Sequence, residues 1–137
     1  MIKIPLPGIA AQQKVIFEEA TRQAIATLKA NLSAPTLPPQ VEIDESQYSR
    51  AHLLREDEGW EPPHPDIVGA YFRHLQMHFP EYGTDQKIAG LLGLSSDRRI
   101  REFKQGKTKV PYGVWRKFLV LTGRAPQDVL PILAYMG

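Results

Sequence analysis

The stretch Thr84–Gly106, TDQKIAGLLGLSSDRRIREFKQG, decides the fold of this 137-residue chain. It predicts two short helices joined by a tight turn. The hydroxyl of Thr84 can cap the first helix, and the apolar residues that follow it recur at helical spacing. Gly93 can end that helix in the left-handed conformation. Ile100 and Phe103, three residues apart, would bury the second helix, and the last glycine of the stretch would end it.

This pattern is typical of a helix-turn-helix. Small or apolar residues at the turn and on the two helices carry a resemblance to a known family: Ala89, Gly93, Leu94, Ile100 and Phe103. Roughly from Asp66 to Gly123, the chain resembles the DNA-binding domains of phage repressors of the Cro/CI class, also called the Xre class. In that family the inner apolar residue of the second helix falls six positions after the turn glycine, where this chain has Arg99. Because Phe103 is late by the same one residue, we interpret the shift as one extra residue in the turn. The resemblance implies sequence-specific binding of double-stranded DNA and a role in transcriptional regulation.

The charge of the chain is unevenly distributed. The net charge is +2, but residues 1–65 carry −3 and residues 66–124 carry +6. Such an asymmetry points to a polyanionic partner for the basic segment. A solvated basic face is the alternative, and the helix-turn-helix in the same segment favours double-stranded DNA.

The second helix of the pair presents a basic outer face when Ile100 and Phe103 point inward, because successive residues are about 100° apart. Arg98, Arg101 and Gln105 then face outward and suit base edges, since arginine matches guanine and a glutamine amide matches adenine. Candidate phosphate-binding residues flank this face or continue the positive surface: Gln86, Lys87, Ser96, Arg99, Lys104, Lys107, Lys109, Arg116 and Lys117. The alternative is an arginine-rich solvent face that pairs with the carboxylates of the same helix.

The N-terminal segment, residues 1–33, predicts an extended arm over residues 1–8 and an amphipathic helix over residues 9–32. The apolar stripe of that helix contains Phe17, Ala20, Ala24, Leu28 and Leu32. A lone helix must bury such a stripe against another surface. Two interpretations stay open: the helix packs on the protein's own C-terminal domain, or it contacts the same helix of a second chain in a homodimer.

Residues 34–65 predict a proline-rich, acidic linker. Three prolines open the segment, three close it, and seven carboxylates lie between them. Long stretches without a clear element of their own are typical of linkers. Within it, Val41 and Ile43 could form a short strand and residues 48–55 a helical turn or two. Clustered carboxylates can bind Mg²⁺ or imitate the charge of DNA, but a solvated linker is the favoured interpretation.

Residues 66–137 predict a domain of five helices. The first ends before Pro80, the helix-turn-helix supplies two more, and the fourth begins near Pro111. A fifth short helix is expected over residues 126–135. Trp115 lies on the apolar stripe of the fourth helix, so we expect it in the core.

Enzymatic chemistry is a poor interpretation of this sequence. The chain has no cysteine, which excludes disulfides, cysteine nucleophiles and cysteine metal sites. His74 and His78 are one helical turn apart, a spacing that can bind Zn²⁺, but the glutamate of a metalloprotease motif is missing and no third ligand is evident. We expect both histidines to pack at the domain edge, and we expect no catalytic residue, metal or cofactor.

The sequence therefore predicts an all-α protein with an N-terminal helix, a proline-rich linker and a five-helix repressor-like domain. No apolar run approaches the roughly 20 residues of a membrane span, and the start lacks a signal pattern. We accordingly expect a cytoplasmic protein with no membrane partner. The alternative function is a protein-interaction module, such as an antitoxin or adaptor, that uses the N-terminal helix and acidic segment; a metal-dependent enzyme is a third.

Overall fold

The computed structural model describes residues 8–137 and shows an all-helical protein, with no strand in this range. Five α-helices follow one another: α1 (Ile9–Asn31), α2 (Pro65–His78), α3 (Asp85–Leu91), α4 (Asp97–Gln105) and α5 (Tyr112–Leu121). Short 3₁₀ turns lie at Glu45–Gln47, Ala51–Leu53, Glu56–Glu58 and Pro80–Tyr82. The all-α prediction is confirmed. The extended arm predicted for residues 1–8 lies outside the described residues except for Gly8.

The chain divides into two compact units, and their boundaries differ from those predicted. The core unit is Pro39–Gln127, and the terminal unit is Met1–Pro38 together with Asp128–Gly137. The domain predicted over residues 66–137 thus gains the segment 39–64 and loses its last residues.

The helix-turn-helix is closed by local hydrogen bonds and by glycine conformation. Thr84 caps α3, because its Oγ1 accepts from the backbone N–H of Lys87 at 3.3 Å. Gly93 adopts a φ of 73° after α3, and the N–H of Leu94 donates to the carbonyl of Ala89 at 2.8 Å. Gly106 ends α4 at a φ of 76°, where a Cβ would lie 2.8 Å from Pro65 Cγ. The turn is therefore fixed, and α4 is continuous, as predicted.

The core of this unit lies among α2, α3, α4 and α5. Helix α4 packs against α2 and α3. The side chains that are least exposed are aromatic or branched: Ile67, Tyr71, Phe72, Ile88, Ile100, Phe103, Trp115, Phe118 and Leu119. Trp115 is in the core, as predicted, and its ring stacks with those of Tyr71 and Phe118, with centroid distances of 5.7 and 5.3 Å.

Residues 39–64, which we call the strap, pack on the core and are not the solvated linker that we predicted. His52 is only 2% exposed, and its Nδ1 accepts a hydrogen bond from the indole N–H of Trp115 at 3.1 Å. Trp60 donates its own indole N–H to the carbonyl of His52 at 3.1 Å. The prolines at the ends of the strap exclude long helices there but do not prevent it from burying side chains. This overrides the inference from composition.

The acidic residues of the strap anchor it to α2. Glu45 accepts from the hydroxyl of Tyr71, and Glu42 accepts from Nε of Arg73 at 2.7 Å and also from its Nη2. The hydrogen bond from Arg73 holds the pKa of Glu42 below its usual value. The predicted strand at residues 41–43 is absent, and Gln40 instead bonds the backbone of residue 43. Short 3₁₀ turns at Glu45–Gln47 and Ala51–Leu53 stand near the predicted helical turns.

The terminal unit contains the predicted N-terminal helix, α1, which has no buried residue. The ring of Phe17 lies 5.6 Å from that of Tyr135, and the N–H of Gly137 donates to Gln13 Oε1 at 3.0 Å. The helix predicted over residues 126–135 is wrong, because this segment is irregular. Pro131 lies in the middle of this segment, where it lacks the backbone donor that a helix needs and its ring clashes with the preceding turn.

Candidate nucleic-acid interface

Helix α4 has one buried face and one exposed face. Ile100 is fully buried, Phe103 is 1% exposed, and the predicted helix phase is confirmed. Arg98, Arg101 and Gln105 lie on the exposed face. The side chains of Arg98 and Arg101 are 78% and 49% exposed. The geometry therefore presents three hydrogen-bonding side chains together, and their role in reading bases stays a prediction.

Both arginines of this face pair with carboxylates one helical turn away. Arg98 Nε donates to Glu102 Oε1 at 2.8 Å, and Arg101 Nη1 lies 2.8 Å from Asp97 Oδ2. The alternative interpretation, a solvent face of paired charges, anticipated these two contacts. Exposed helical ion pairs are worth only about 0.3–0.5 kcal/mol each, so they can open at little cost when a ligand approaches.

Most of the candidate phosphate-binding residues are exposed around α4. Gln86 and Lys87 lie in the first turn of α3, and Ser96 is the N-cap residue of α4. Exposed lysines follow on the connector after α4 and on α5: Lys107, Lys109 and Lys117. Together they extend the positive charge from α4 to both of its neighbours along the chain.

Arg116 is a correction to the predicted set, because the structure buries it. It is 9% exposed, and its guanidinium donates to the carbonyls of Leu53 at 3.4 Å and Pro126 at 3.1 Å. Its Nε is buried without a hydrogen-bond partner. A phosphate cannot reach this group, so Arg116 joins the strap to the end of the core unit.

Lys104 and Arg99 also differ from simple surface cations. Lys104 Nζ donates to both carboxylate oxygens of Asp85, at 2.8 and 2.9 Å, and so ties α4 to the start of α3. The guanidinium of Arg99 lies 5.4 Å from the ring centroid of Phe103 and is partly buried. Both side chains therefore make contacts within the helix-turn-helix itself.

A cluster of buried and partly buried polar groups around Tyr71 was missed by sequence reasoning. The guanidinium of Arg124 lies 3.9 Å from the ring centroid of Tyr71, and the ring of His52 packs edge-on against Tyr71 and Trp115. Burial lowers the pKa of His52 to about 4 and raises that of Tyr71 to about 12. Burial also lowers the pKa of Arg124. The cluster holds the strap, and no sequence signal could reveal it, since His52 and Trp115 are 63 residues apart.

His74 and His78 lie at the edge of α2, where their ring centroids are 4.9 Å apart. Arg124 Nη2 lies 3.1 Å from Nδ1 of His74, so a cation already contacts this ring. Within residues 8–137 no three potential ligands from histidine, aspartate and glutamate come together as a metal site would require. In the same range, no helix combines the length and the apolar character that crossing a membrane needs.

Comparison of the chain with protein-family models, with curated proteins and with solved structures finds no match. The assignment of function therefore depends on the geometry of the molecule itself.

Proposed function

We propose that the core unit binds double-stranded DNA in a sequence-specific manner and acts in transcriptional regulation, with α4 as the reading helix. The observation that carries this proposal is the division of α4 into two faces. Ile100 and Phe103 fix the helix on the core, and Arg98, Arg101 and Gln105 stand exposed on the other side. A major groove about 12 Å wide admits an α-helix and displays the acceptors that arginine and glutamine recognise. Such a protein would work in the cytoplasm, where it meets DNA.

Two kinds of contact are expected at this interface. Side chains on the outer face of α4 would contact base edges and provide discrimination, whereas exposed lysines beside it would contact phosphates. Lys107 and Lys109 on the connector, Lys87 on α3 and Lys117 on α5 are the exposed cations available for this second role. The side chains of Lys104 and Arg116 are engaged within the protein and are left out of it.

Retardation of duplexes selected from a random library tests the proposal. Arg98→Ala and Arg101→Ala should each lower discrimination against mismatched duplexes by roughly 1–3 kcal/mol. Lys107→Ala and Lys109→Ala should weaken selected and random duplexes alike and reduce the salt slope by about one unit. Arg22→Ala on α1 is a control of the same charge change outside the core unit.

The proposal is contradicted if the purified full chain binds no selected duplex more strongly than it binds nonspecific competitor DNA. Equal binding by the parent and all four variants would show instead that DNA binds elsewhere on the protein.

We further propose that the protein binds DNA as a homodimer, with α1 in the contact. One short reading helix touches few base pairs, and proteins with this motif commonly place two copies on half-sites about 34 Å apart. The apolar side chains of α1 are exposed in the single chain, among them Ile16, Phe17, Ile25 and Leu28. Pairing of identical surfaces about a two-fold axis is the commonest route to a dimer.

Light scattering on the full chain and on a fragment of residues 39–127 tests the dimer. A dimeric full chain and a monomeric fragment that binds selected DNA weakly would support it. The idea fails if the fragment stays dimeric, or if the full chain is monomeric both alone and on DNA.

A second candidate function is a protein-interaction module, and the exposure of α1 is the observation that favours it. In that case a different protein would cover the apolar side chains of α1. The retardation assay distinguishes the two candidates, because an adaptor that does not bind DNA would shift no duplex. A DNA-binding protein that has lost only the contacts of α1 would still bind a half-site through its core unit.

A further inference from the structure

The two arginines on the outer face of α4 are held by carboxylates in different ways. Glu102 contacts Arg98 at Nε, whereas Asp97 contacts Arg101 at the terminal nitrogen Nη1. A guanidinium that binds guanine bidentately uses a pair of neighbouring N–H groups. The hydrogen bond from Arg98 to Glu102 uses Nε and neither of the terminal nitrogens of its guanidinium. The contact at Nη1 occupies one of the two terminal nitrogens of Arg101.

Glu102 is itself fixed from its other side. Thr108 Oγ1 donates to Glu102 Oε2 at 3.2 Å, and the opposite oxygen, Oε1, accepts from Arg98. The N–H of Lys107 donates to the backbone carbonyl of Glu102 at 3.0 Å, which ties the connector to the same residue. The side chain of Glu102 is 24% exposed, against 78% for Arg98. A chain of contacts thus runs from the connector through a recessed carboxylate to an exposed guanidinium.

We propose that Glu102, held by Thr108, is a positioning residue that orients Arg98 toward a guanine in the bound DNA. This inference rests on the proposed function and adds to it what orients Arg98. An oriented guanidinium loses less side-chain freedom when it binds. A carboxylate beside it also repels phosphates, which opposes contacts of Arg98 with the DNA backbone. Arg101, in contrast, must release Asp97 before it can use both terminal nitrogens.

Selection of duplexes by the full chain and its variants tests the positioning. The guanine that Arg98 reads is the position whose preference disappears in duplexes selected by Arg98→Ala. At that guanine, Glu102→Ala should lower discrimination about twofold, the effect of losing one helical ion pair, and should bind random duplex as well as or better than the parent. Thr108→Val should lower discrimination less than Glu102→Ala does, and Thr108→Ser should retain it.

A modified base gives a readout that a merely structural role of Glu102 would not change. Replacing that guanine by 7-deazaguanine removes the N7 acceptor and should weaken the parent more than it weakens Glu102→Ala, because the contact is already weakened in that variant. Asp97→Ala is the matched control, since it frees Arg101 and should keep the preference at the guanine of Arg98. Melting temperatures equal to that of the parent confirm that each variant is folded.

Two results overturn the inference and leave the proposed function intact. One is a folded Glu102→Ala variant with the parent's preference at the guanine of Arg98, and the other is an Arg98→Ala variant that loses no base preference. If the parent selects no sequence at all, the proposed function itself fails, and the inference fails with it.

Discussion

Helices α1 and α2 have opposite surroundings, although both are amphipathic. None of the 23 residues of α1 is buried, whereas seven of the 14 residues of α2 are. Helix α2 contacts α4 and is bonded to the strap through Tyr71 and Arg73, whereas Phe17 of α1 contacts Tyr135 in the C-terminal segment of its own unit. The comparison teaches that an apolar stripe predicts a helix but does not predict what covers that stripe.

The largest test of the comparison removes the strap. A fragment of residues 39–127 should unfold with the same cooperative transition as the core unit of the full chain. A fragment of residues 65–127 exposes Trp115 and Tyr71 and loses their polar partners. At about 1.5–3 kcal/mol for each buried aromatic side chain, we expect it to lose about 5 kcal/mol, much of a typical domain's stability. Thermal unfolding followed by circular dichroism measures both, and equal stability of the fragments would show that the strap is dispensable.

The same substitution in each unit sharpens the comparison. Phe103→Ala should lower the free energy of unfolding by roughly 3–5 kcal/mol, because Phe103 is buried and its loss leaves a cavity. Phe17→Ala on α1 should change it by no more than about 0.5 kcal/mol, because Phe17 is 45% exposed. Urea denaturation provides both values. Two similar values would mean that α1 is buried in solution, for example in a dimer.

Acid should weaken the core unit through His52. Its pKa is about 4 in the folded protein against an ordinary value of 6.5, so between these values only the unfolded chain takes up the proton. The contribution of neutral His52 to the free energy of unfolding is complete above about pH 6.5 and is lost as the pH falls towards 4. At 1.36 kcal/mol per pKa unit, this loss is at most about 3 kcal/mol.

Urea denaturation at pH 7 and pH 5 tests the role of His52. His52→Asn should flatten the dependence over this window, and His64→Gln, which alters an exposed ring, should keep it. All four histidines lie in the core unit, so the helicity of α1 should not depend on protonation of histidine between pH 7 and pH 5. A dependence unaltered by His52→Asn would assign it to another group.

The smallest effect is expected for exposed ion pairs. Arg73→Ala breaks a pair with Glu42 that spans 31 positions in sequence and joins the strap to α2. Because both side chains are largely exposed, the loss should stay below about 1 kcal/mol and shrink further in high salt. Arg22→Ala removes a local pair with Glu19 in α1 and should leave unfolding of the core unit unchanged. A loss of several kcal/mol in Arg73→Ala would mean that this pair controls docking of the strap.

The parts of the fold that followed from sequence are local. The cap at Thr84, the turn at Gly93 and the inward pair Ile100 and Phe103 each depend on neighbours within a few residues. The packing of the strap could not be predicted, because its apolar residues have no regular spacing and its partners lie on distant helices. His52 shows this most clearly, since its burial depends on a tryptophan on α5.

In the candidate site, too, the local features followed from the sequence and the features that depend on distant segments did not. The exposure of Arg98, Arg101 and Gln105 followed from the phase of α4 alone. The burial of Arg116 did not follow from the phase of α5, because the carbonyls that cover it come from Leu53 in the strap and from Pro126 beyond the helix. A cationic residue on a predicted helix was therefore correctly expected to be exposed only where no distant segment of the chain covers it.

The hydrogen bonds of His52 also affect the intrinsic tryptophan fluorescence of the protein. The chain has two tryptophans, Trp60 on the strap and Trp115 on α5, and both donate their indole N–H to this one residue. Intrinsic tryptophan fluorescence of the unlabelled protein therefore reports the contact between the strap and α5, and α1 contributes no tryptophan emission. An emission spectrum recorded during a DNA titration would reveal directly whether the strap stays docked while α4 is engaged.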